Sequence, residues 1–475
     1  MSDSSATPVR NVAVLGGGIS GLAAAHRLAE LAPSVRVALF EAGDRLGGVV
    51  RSVHKDGYLI ECASDMFITR EPWGVDLCRR VGFESQLIET NRDHRRALVV
   101  FRGRLYPVPD GFTLMTPLRA WPVATTPLLS LQGKIRLACE WFVPPRKEES
   151  DESLASFARR RMGREAYERL IQPLISSIYT ADPEKLSMQA AMPQFFALER
   201  KYGSLARGMR HLSLKRAAAE GSGARYGLFV GARRGLAGLV EAIAARLPEG
   251  CVRLNSAVHR VAPHPAGGWE VSSIHGAEAF DAVILAVPAH RAAQLLGPID
   301  ESLAADLRAI PHAGTAIVAA GYHRSQVEHP LDGFGAVIPL VEKRRVLSIS
   351  FSSNKFPGRA PQGCVLFRVF VGGACQPELL DLADEPLKRL VQEELGELLG
   401  ARGQPQLCEV FRWPNAMPQY HVGHLDRVRR IEARAAALPR LALAGNAFRG
   451  VGLPFCIRSG EQAAEIVLGR LSPGG

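Results

Sequence analysis

Three glycines, Gly16, Gly18 and Gly21, stand at the spacing G-x-G-x-x-G in the run LGGGISGLAAA. That spacing suits a pyrophosphate. The first glycine permits a tight turn, the second lets backbone approach phosphate oxygens, and the third lets the following helix pack closely. Glu41 stands twenty residues after Gly21, at the end of an apolar run, where a carboxylate can accept hydrogen bonds from ribose hydroxyls. Four residues later Arg45-Leu46-Gly47-Gly48 opens a hairpin-like stretch that ends in GYLIE, Gly57 to Glu61. A further glycine-rich run, Gly450-Val451-Gly452-Leu453, lies near the other end of the chain. A glycine-rich turn without a ligand is the plain alternative at each place, and the acid after the second apolar run weighs against it.

These residues need elements to hold them. Val12 to Leu15 and Val35 to Phe40 are continuous apolar runs, the pattern of parallel strands covered on both faces. Between them, Leu22 to Leu31 is rich in Ala and Leu and predicts a helix whose N-terminal amides face the phosphates. Two later stretches read as strands returning to the same sheet: residues 251 to 261, with apolar Val252, Leu254, Val258 and Val261, and Asp281 to His290, which ends at a proline before a helix. Leu441 to Ala444 predicts one more strand, followed by the second glycine-rich loop and a helix from about Phe455. That helix aims its partial positive charge at whatever sits above the loop. In a flavoenzyme the natural occupant is the N1–C2=O edge of the isoalloxazine. The fold expected is α/β, and the RLGG hairpin resembles the second flavin signature of the amine-oxidase superfamily, a resemblance that favours FAD over NAD.

A length of 475 residues predicts two or three domains. The formal charge is +11, but the basic residues are dispersed, with no helix-turn-helix signature or Lys-rich tail, so no nucleic-acid partner is expected. Eight cysteines, at 62, 78, 139, 251, 364, 375, 408 and 456, include no CxxC pair, and the thirteen histidines show no metal spacing. No metal and no nucleophile–His–acid set is expected. The N-terminus has no signal-peptide pattern, and no stretch of eighteen uncharged apolar residues occurs. A cytoplasmic protein is expected, sitting at most on a membrane face.

Four segments taken together go further: GGGISGLAAAHRL, the RLGG hairpin, FRWPNAMPQYHVGHLDRV (Phe411 to Val428) and GNAFRGVGLPFCIRSGEQAA (Gly445 to Ala464). They resemble the oxygen-dependent protoporphyrinogen/coproporphyrinogen oxidases of haem synthesis, within the FAD amine-oxidase superfamily. The resemblance extends through Ser153 to Gly163, Ile178 to Met188 and Gly231 to Ile243. It implies a discontinuous FAD-binding Rossmann-type domain (8–88, 224–290 and 408–475), an α+β substrate domain (89–105, 195–223 and 291–407) and a helical, membrane-facing insertion (106–194). FAD contacts are implied at Gly16, Gly18, Gly21, Glu41, Arg45, Gly48, Val258, Trp413, Gly450, Val451, Gly452 and Leu453. Val258 and Trp413 read equally well as core residues.

The implied substrate is a porphyrinogen, protoporphyrinogen IX or coproporphyrinogen III, with O2 reoxidising the flavin and hydrogen peroxide released. Hydride would pass to flavin N5, so no strong protein base is required. Either Arg95 or Arg96 matches the propionate-pairing arginine, and Phe67, Phe334 and Phe351 are candidates for the cavity walls. One departure is Ala63-Ser64-Asp65-Met66, where the family has a G-P-x-S run before the Phe. Residues 106 to 145 place aromatic and apolar side chains between prolines, a pattern for peripheral membrane contact or for a pocket roof. A homodimer is the default assembly. The rival readings are an amine oxidase or desaturase of the same superfamily, and a flavin- or porphyrin-binding carrier without turnover.

Overall fold

The computed structural model describes residues 10–93, 96–148, 150–219 and 229–471. The apolar runs assemble into one parallel sheet. Its strands lie in the order Val252–Arg253, Arg36–Phe40, Asn11–Leu15, Ala282–Leu285 and Leu441–Leu443, so three distant stretches of chain share it. Alternate residues of Asn11–Leu15 enter two different cores. Val12 and Val14 pack with the helices Ile19–Leu31 and Leu453–Leu471, whereas Ala13 and Leu15 pack with Phe40, Trp269 and Phe280. Cover on both faces is why the strand is apolar throughout. The strand order reverses between Asn11–Leu15 and Ala282–Leu285, which opens a crevice at their C-terminal ends.

Residues 251 to 261 behave differently from the single returning strand expected of them. Asn255, at φ +49°, turns the chain, so only Val252–Arg253 joins the parallel sheet. Val258–Pro263 begins a separate antiparallel meander with Trp269–Ser273 and Gly276–Phe280.

A second, seven-stranded sheet runs in the order Leu407–Pro418, His312–His323, Cys364–Gly372, Ser348–Phe351, Gly335–Val337, Ala97–Phe101 and Arg104–Pro107. All its pairs are antiparallel except Gly335–Val337 with Ala97–Phe101. The helix Asp384–Leu399 covers one face through Leu387, Leu390, Val391 and Leu395. The other face meets the hairpin Ser52–Lys55/Tyr58–Glu61, where Tyr58 and Ile60 pack on Ala319, Leu366 and Leu407.

A helical body completes the chain, and it does not stop at residue 194. Residues 195–223 were expected in the substrate domain, but Pro193–Tyr202 and Leu205–Ala219 are helices. Phe195, Leu198, Leu205 and Met209 share a core with Phe157, Leu170 and Ile175. Pro193 starts a helix in its first turn, where its missing N–H costs nothing, so it marks a helix boundary rather than a domain boundary. The end of the body is held by Glu140, which accepts from the Ser204 hydroxyl (2.7 Å) and the Leu205 and Ala206 amides (2.9 and 3.1 Å) while pairing with buried Arg161.

Candidate functional site

The first glycine loop is built as a cradle. Gly16 has φ +105°, and a Cβ there would lie 2.5 Å from the Ala286 carbonyl oxygen. At Gly21 a Cβ would lie 1.8 Å from the Gly16 carbonyl oxygen, so the helix Ile19–Leu31 approaches its strand more closely than any side chain allows. Gly18 is different. A Cβ there meets nothing within 4 Å, so packing within the chain does not explain this glycine. Gly18 is also the N-cap residue, and no side chain caps the helix that follows. An open space beside uncapped amides at a helix N-terminus fits a pyrophosphate group.

Glu41 closes the loop from the side. Its carboxylate accepts from the Gly17 amide (2.7 Å) and the Gly43 amide (2.8 Å). Two such bonds leave acceptor sites for hydroxyl donors. The Glu41 and Gly43 carbonyls accept from the Ser256 and Asn255 amides, both at 2.8 Å, which brings half-buried Val258 to the same end of the sheet. The Gly47 amide donates to the Gly17 carbonyl (2.8 Å), and a Cβ at Gly48 would lie 3.2 Å from Gly18 Cα. The Arg45 guanidinium binds the carbonyls of Leu46 (3.1 Å), Gly48 (2.5 Å) and Val50 (3.3 Å), so it ties this turn together. The structure thus gathers Gly16, Gly18, Gly21, Glu41, Arg45, Gly48 and Val258 at one sheet end.

The second glycine loop follows Leu441–Leu443, on the far side of Ala282–Leu285. Its helix begins at Leu453, two residues earlier than expected. Cys456 donates to the Gly452 carbonyl (3.0 Å), the first bond of the helix, and Pro454 sits where no N–H is needed. Among the described residues the amides of Val451, Gly452 and Leu453 have no partner. Trp413 reaches the cleft from the seven-stranded sheet, with its indole N–H donating to the Cys62 carbonyl (2.7 Å).

The substrate-side residues separate. Arg95 lies outside the described residues. Arg96 is committed to Asp332, donating to its carbonyl (2.8 Å) and pairing with its carboxylate. Phe67 is 3% exposed and packs on Gly74 in the core of the parallel-sheet domain. Phe351 is fully buried with Phe367 beneath the helix Asp384–Leu399, on the face of the sheet turned away from Trp413. Both were expected as cavity walls; Phe67 is packed into a hydrophobic core, and Phe351 lies on the helix-covered face of its sheet. Strand alternation decides this: in Ser348–Phe351 the serines face the cleft, while Ile349 and Phe351 face the helix. Phe334 is half-buried at the start of the interior strand Gly335–Val337, with its amide donating to the Arg96 carbonyl (2.9 Å) and its carbonyl accepting from the Phe351 amide (2.9 Å).

Next to the cleft lies a charged cluster that was not foreseen. The buried Asp65 carboxylate pairs with Lys355 (2.8 Å) and Arg368 (3.0 Å). Lys355 also donates to the Ser350 hydroxyl (3.1 Å), and Arg368 donates to the Ala63 carbonyl. Arg359, 1% exposed, donates to the Ala232 carbonyl (2.7 Å) close by. The neighbouring cations hold the Asp65 carboxyl far below the usual range despite its burial. Burial pushes Glu61 the other way, toward its neutral form. Three buried cations, Lys355, Arg359 and Arg368, are therefore gathered around the Asp65 carboxylate, with Glu61 buried beside them. The sequence did carry a signal: Arg368 is the one charged residue in the otherwise apolar strand Cys364–Gly372, and a buried charge must have a partner.

A parallel sheet with a pyrophosphate cradle at its switch point defines a dinucleotide-binding oxidoreductase architecture. The model of the flavin containing amine oxidoreductase family matches residues 19–468, and the chain belongs to that family. FAD is its cofactor, and the open cradle at Gly18 fits it. The chain is 33% identical to the coproporphyrinogen III oxidase of Bacillus subtilis, with 97% of this chain and 98% of that protein covered. It is 30% identical to the chloroplastic protoporphyrinogen oxidase of Nicotiana tabacum, over 97% and 85%. A solved structure from Exiguobacterium sp. 255-15 superposes with a TM-score of 0.87 at 30% identity, covering 98% and 100%. The resemblance carried by the PQY…GH string and the glycine-rich ending holds along nearly the whole chain.

Proposed function

We propose that this chain oxidises a porphyrinogen to the porphyrin, with coproporphyrinogen III as the favoured substrate and O2 as the electron acceptor. The observation that carries this reading is the full-length match to bacterial relatives named for that substrate. The match to plant protoporphyrinogen oxidases supports a second reading, protoporphyrinogen IX. When bound, FAD supplies a two-electron hydride acceptor at N5 that dioxygen restores, releasing hydrogen peroxide.

The chain's own residues bind and orient. In this reading Gly16, Gly18 and Gly21 receive the pyrophosphate, Glu41 the ribose hydroxyls, and Val258 the adenine. Arg45 and Gly48 shape the turn that closes over the phosphates. Trp413, Gly450 and the amides of Val451 to Leu453 border the ring. Arg368, on its strand's face away from the helix Asp384–Leu399, and Lys355, at the end of the short helix Ser352–Lys355, provide positive potential for a substrate bearing carboxylates. Arg95 and Arg96 remain the proposed propionate partners, and a propionate on Arg96 must share that side chain with Asp332. Conversion of a porphyrinogen to the porphyrin removes six electrons, which a two-electron acceptor would take in three rounds. Purified protein should carry a flavin spectrum and, under air, generate porphyrin fluorescence from coproporphyrinogen III with peroxide release. Faster turnover of protoporphyrinogen IX would select the second reading, and no oxidation above the spontaneous rate of either would sink both.

We further propose that the helical body rests on an anionic membrane surface. Trp121, Leu131, Ile135 and Phe142 are 77%, 75%, 58% and 79% exposed on adjoining turns, beside Lys134 and Arg207. Exposed apolar side chains with flanking cations suit an interfacial contact. Among the described residues no helix is long and apolar enough to cross a membrane. Trp121→Glu with Phe142→Glu should reduce co-sedimentation with phosphatidylglycerol vesicles at least tenfold while leaving turnover of dispersed substrate unchanged. Equal sedimentation of variant and parent would rule out this face.

A further inference from the structure

The string Pro418 to His424 grips the second glycine loop at three points. The Tyr420 hydroxyl donates to the Asn446 carbonyl and accepts from the Gly450 amide (2.9 Å). A phenol has one proton, so the direction of both bonds is set. Between these two points, His424 Nε2 lies 2.9 Å from the Phe448 carbonyl oxygen. A carbonyl only accepts, so Nε2 must carry the hydrogen. The two rings stack with centroids 4.1 Å apart and planes at 15°, and both are buried. One short segment therefore holds the start, middle and end of the stretch from Asn446 to Gly450.

The grip ends where the open amides begin. Gly450 turns at φ +139°, with Phe455 so close that a Cβ would lie 2.6 Å from its Cγ. Once Tyr420 takes up the Gly450 amide, the next three N–H groups are those left without partners among the described residues, at the start of the helix Leu453–Leu471. Their direction follows from where Gly450 is held.

We propose that Tyr420, backed by His424, is a positioning residue that aims the amides of Val451 to Leu453 at the N1–C2=O edge of the flavin. It thereby sets the affinity and reduction potential of the bound cofactor. This rests on the FAD placement proposed above and not on which porphyrinogen is oxidised.

Tyr420→Phe keeps the stacked ring and removes the hydroxyl. In the holoenzyme the midpoint potential of the flavin should become more negative, its visible bands should shift, and FAD should dissociate about tenfold more readily. The KM for porphyrinogen should stay unchanged. His424→Leu should act in the same direction, whereas His424→Gln, which keeps an N–H donor for Phe448, should restore the parent potential. A folded Tyr420→Phe protein with parental potential and FAD affinity would overturn the inference, as would weaker FAD binding at an unmoved potential. Should Tyr420→Phe fail to fold, the histidine pair decides, and equal potentials for Leu and Gln would overturn it. Parent protein that binds no FAD would overturn the cofactor placement itself.

Discussion

Gly21→Ala yields protein that leaves gel filtration without flavin, having lost at least about 100-fold in FAD affinity. The added methyl would lie 1.8 Å from the Gly16 carbonyl oxygen and 3.3 Å from Ala286 Cβ. Neither neighbour can yield, because the Gly16 amide donates to the Phe40 carbonyl (2.8 Å) and the Ala286 amide donates to the Leu15 carbonyl (2.8 Å). The helix must move instead. It is clamped on its other side by Gly460 of the C-terminal helix, where a Cβ would lie 2.0 Å from the Ser20 carbonyl oxygen. Overpacking at such a site costs about 3 kcal/mol, and about 1.4 kcal/mol corresponds to each tenfold in affinity. Gly18→Ala separates cofactor binding from packing. Its methyl meets nothing in the chain, so the melting temperature of the apoprotein should be unchanged while FAD binding weakens. Flavin absorbance after gel filtration and thermal unfolding of both variants make the check. A Gly18→Ala protein with parental FAD affinity would show that the pyrophosphate lies elsewhere.

Asp65→Asn should cost about 3–5 kcal/mol in stability and remove most activity, because it leaves Lys355 and Arg368 buried without a counter-charge. The pH dependence has a definite sign. The folded-state value of Asp65 is depressed, so its contribution is complete above the unfolded aspartate value of 3.8 and is lost as pH falls below it. The parent should therefore lose stability on acidification through that range, and Asp65→Asn should lose less. Urea unfolding of both proteins from about pH 5 down to about pH 2 measures the difference. Adding Lys355→Met to Asp65→Asn should recover part of the loss by removing one unpaired cation. Equal stability of Asp65→Asn and parent at neutral pH would mean the cluster is solvated and the pair weak.

The amino-acid sequence by itself determined the nucleotide-binding end of this protein. Glycine spacing, continuous apolar runs and a terminal acid are local patterns, and each followed from what neighbouring residues can do: turn, pack on two faces, or start a helix. Gly16, Gly18, Gly21, Glu41 and the loop at Gly450 are therefore legible one segment at a time. The substrate side was not. Phe67 and Phe351 were legible as aromatic but not as to which face they occupy, because a strand's parity acquires meaning only once the partner covering each face is known. Asp65 and Lys355 stand 290 residues apart, and their pairing becomes compulsory only when the fold removes both from water. The same holds for Tyr420 and His424, whose string was conspicuous in the sequence while its grip on Asn446, Phe448 and Gly450 was not. Local pattern specifies elements through short-range sterics and burial periodicity. Which charges and hydroxyls must find each other depends on desolvation across the assembled core, and only the tertiary structure decided that.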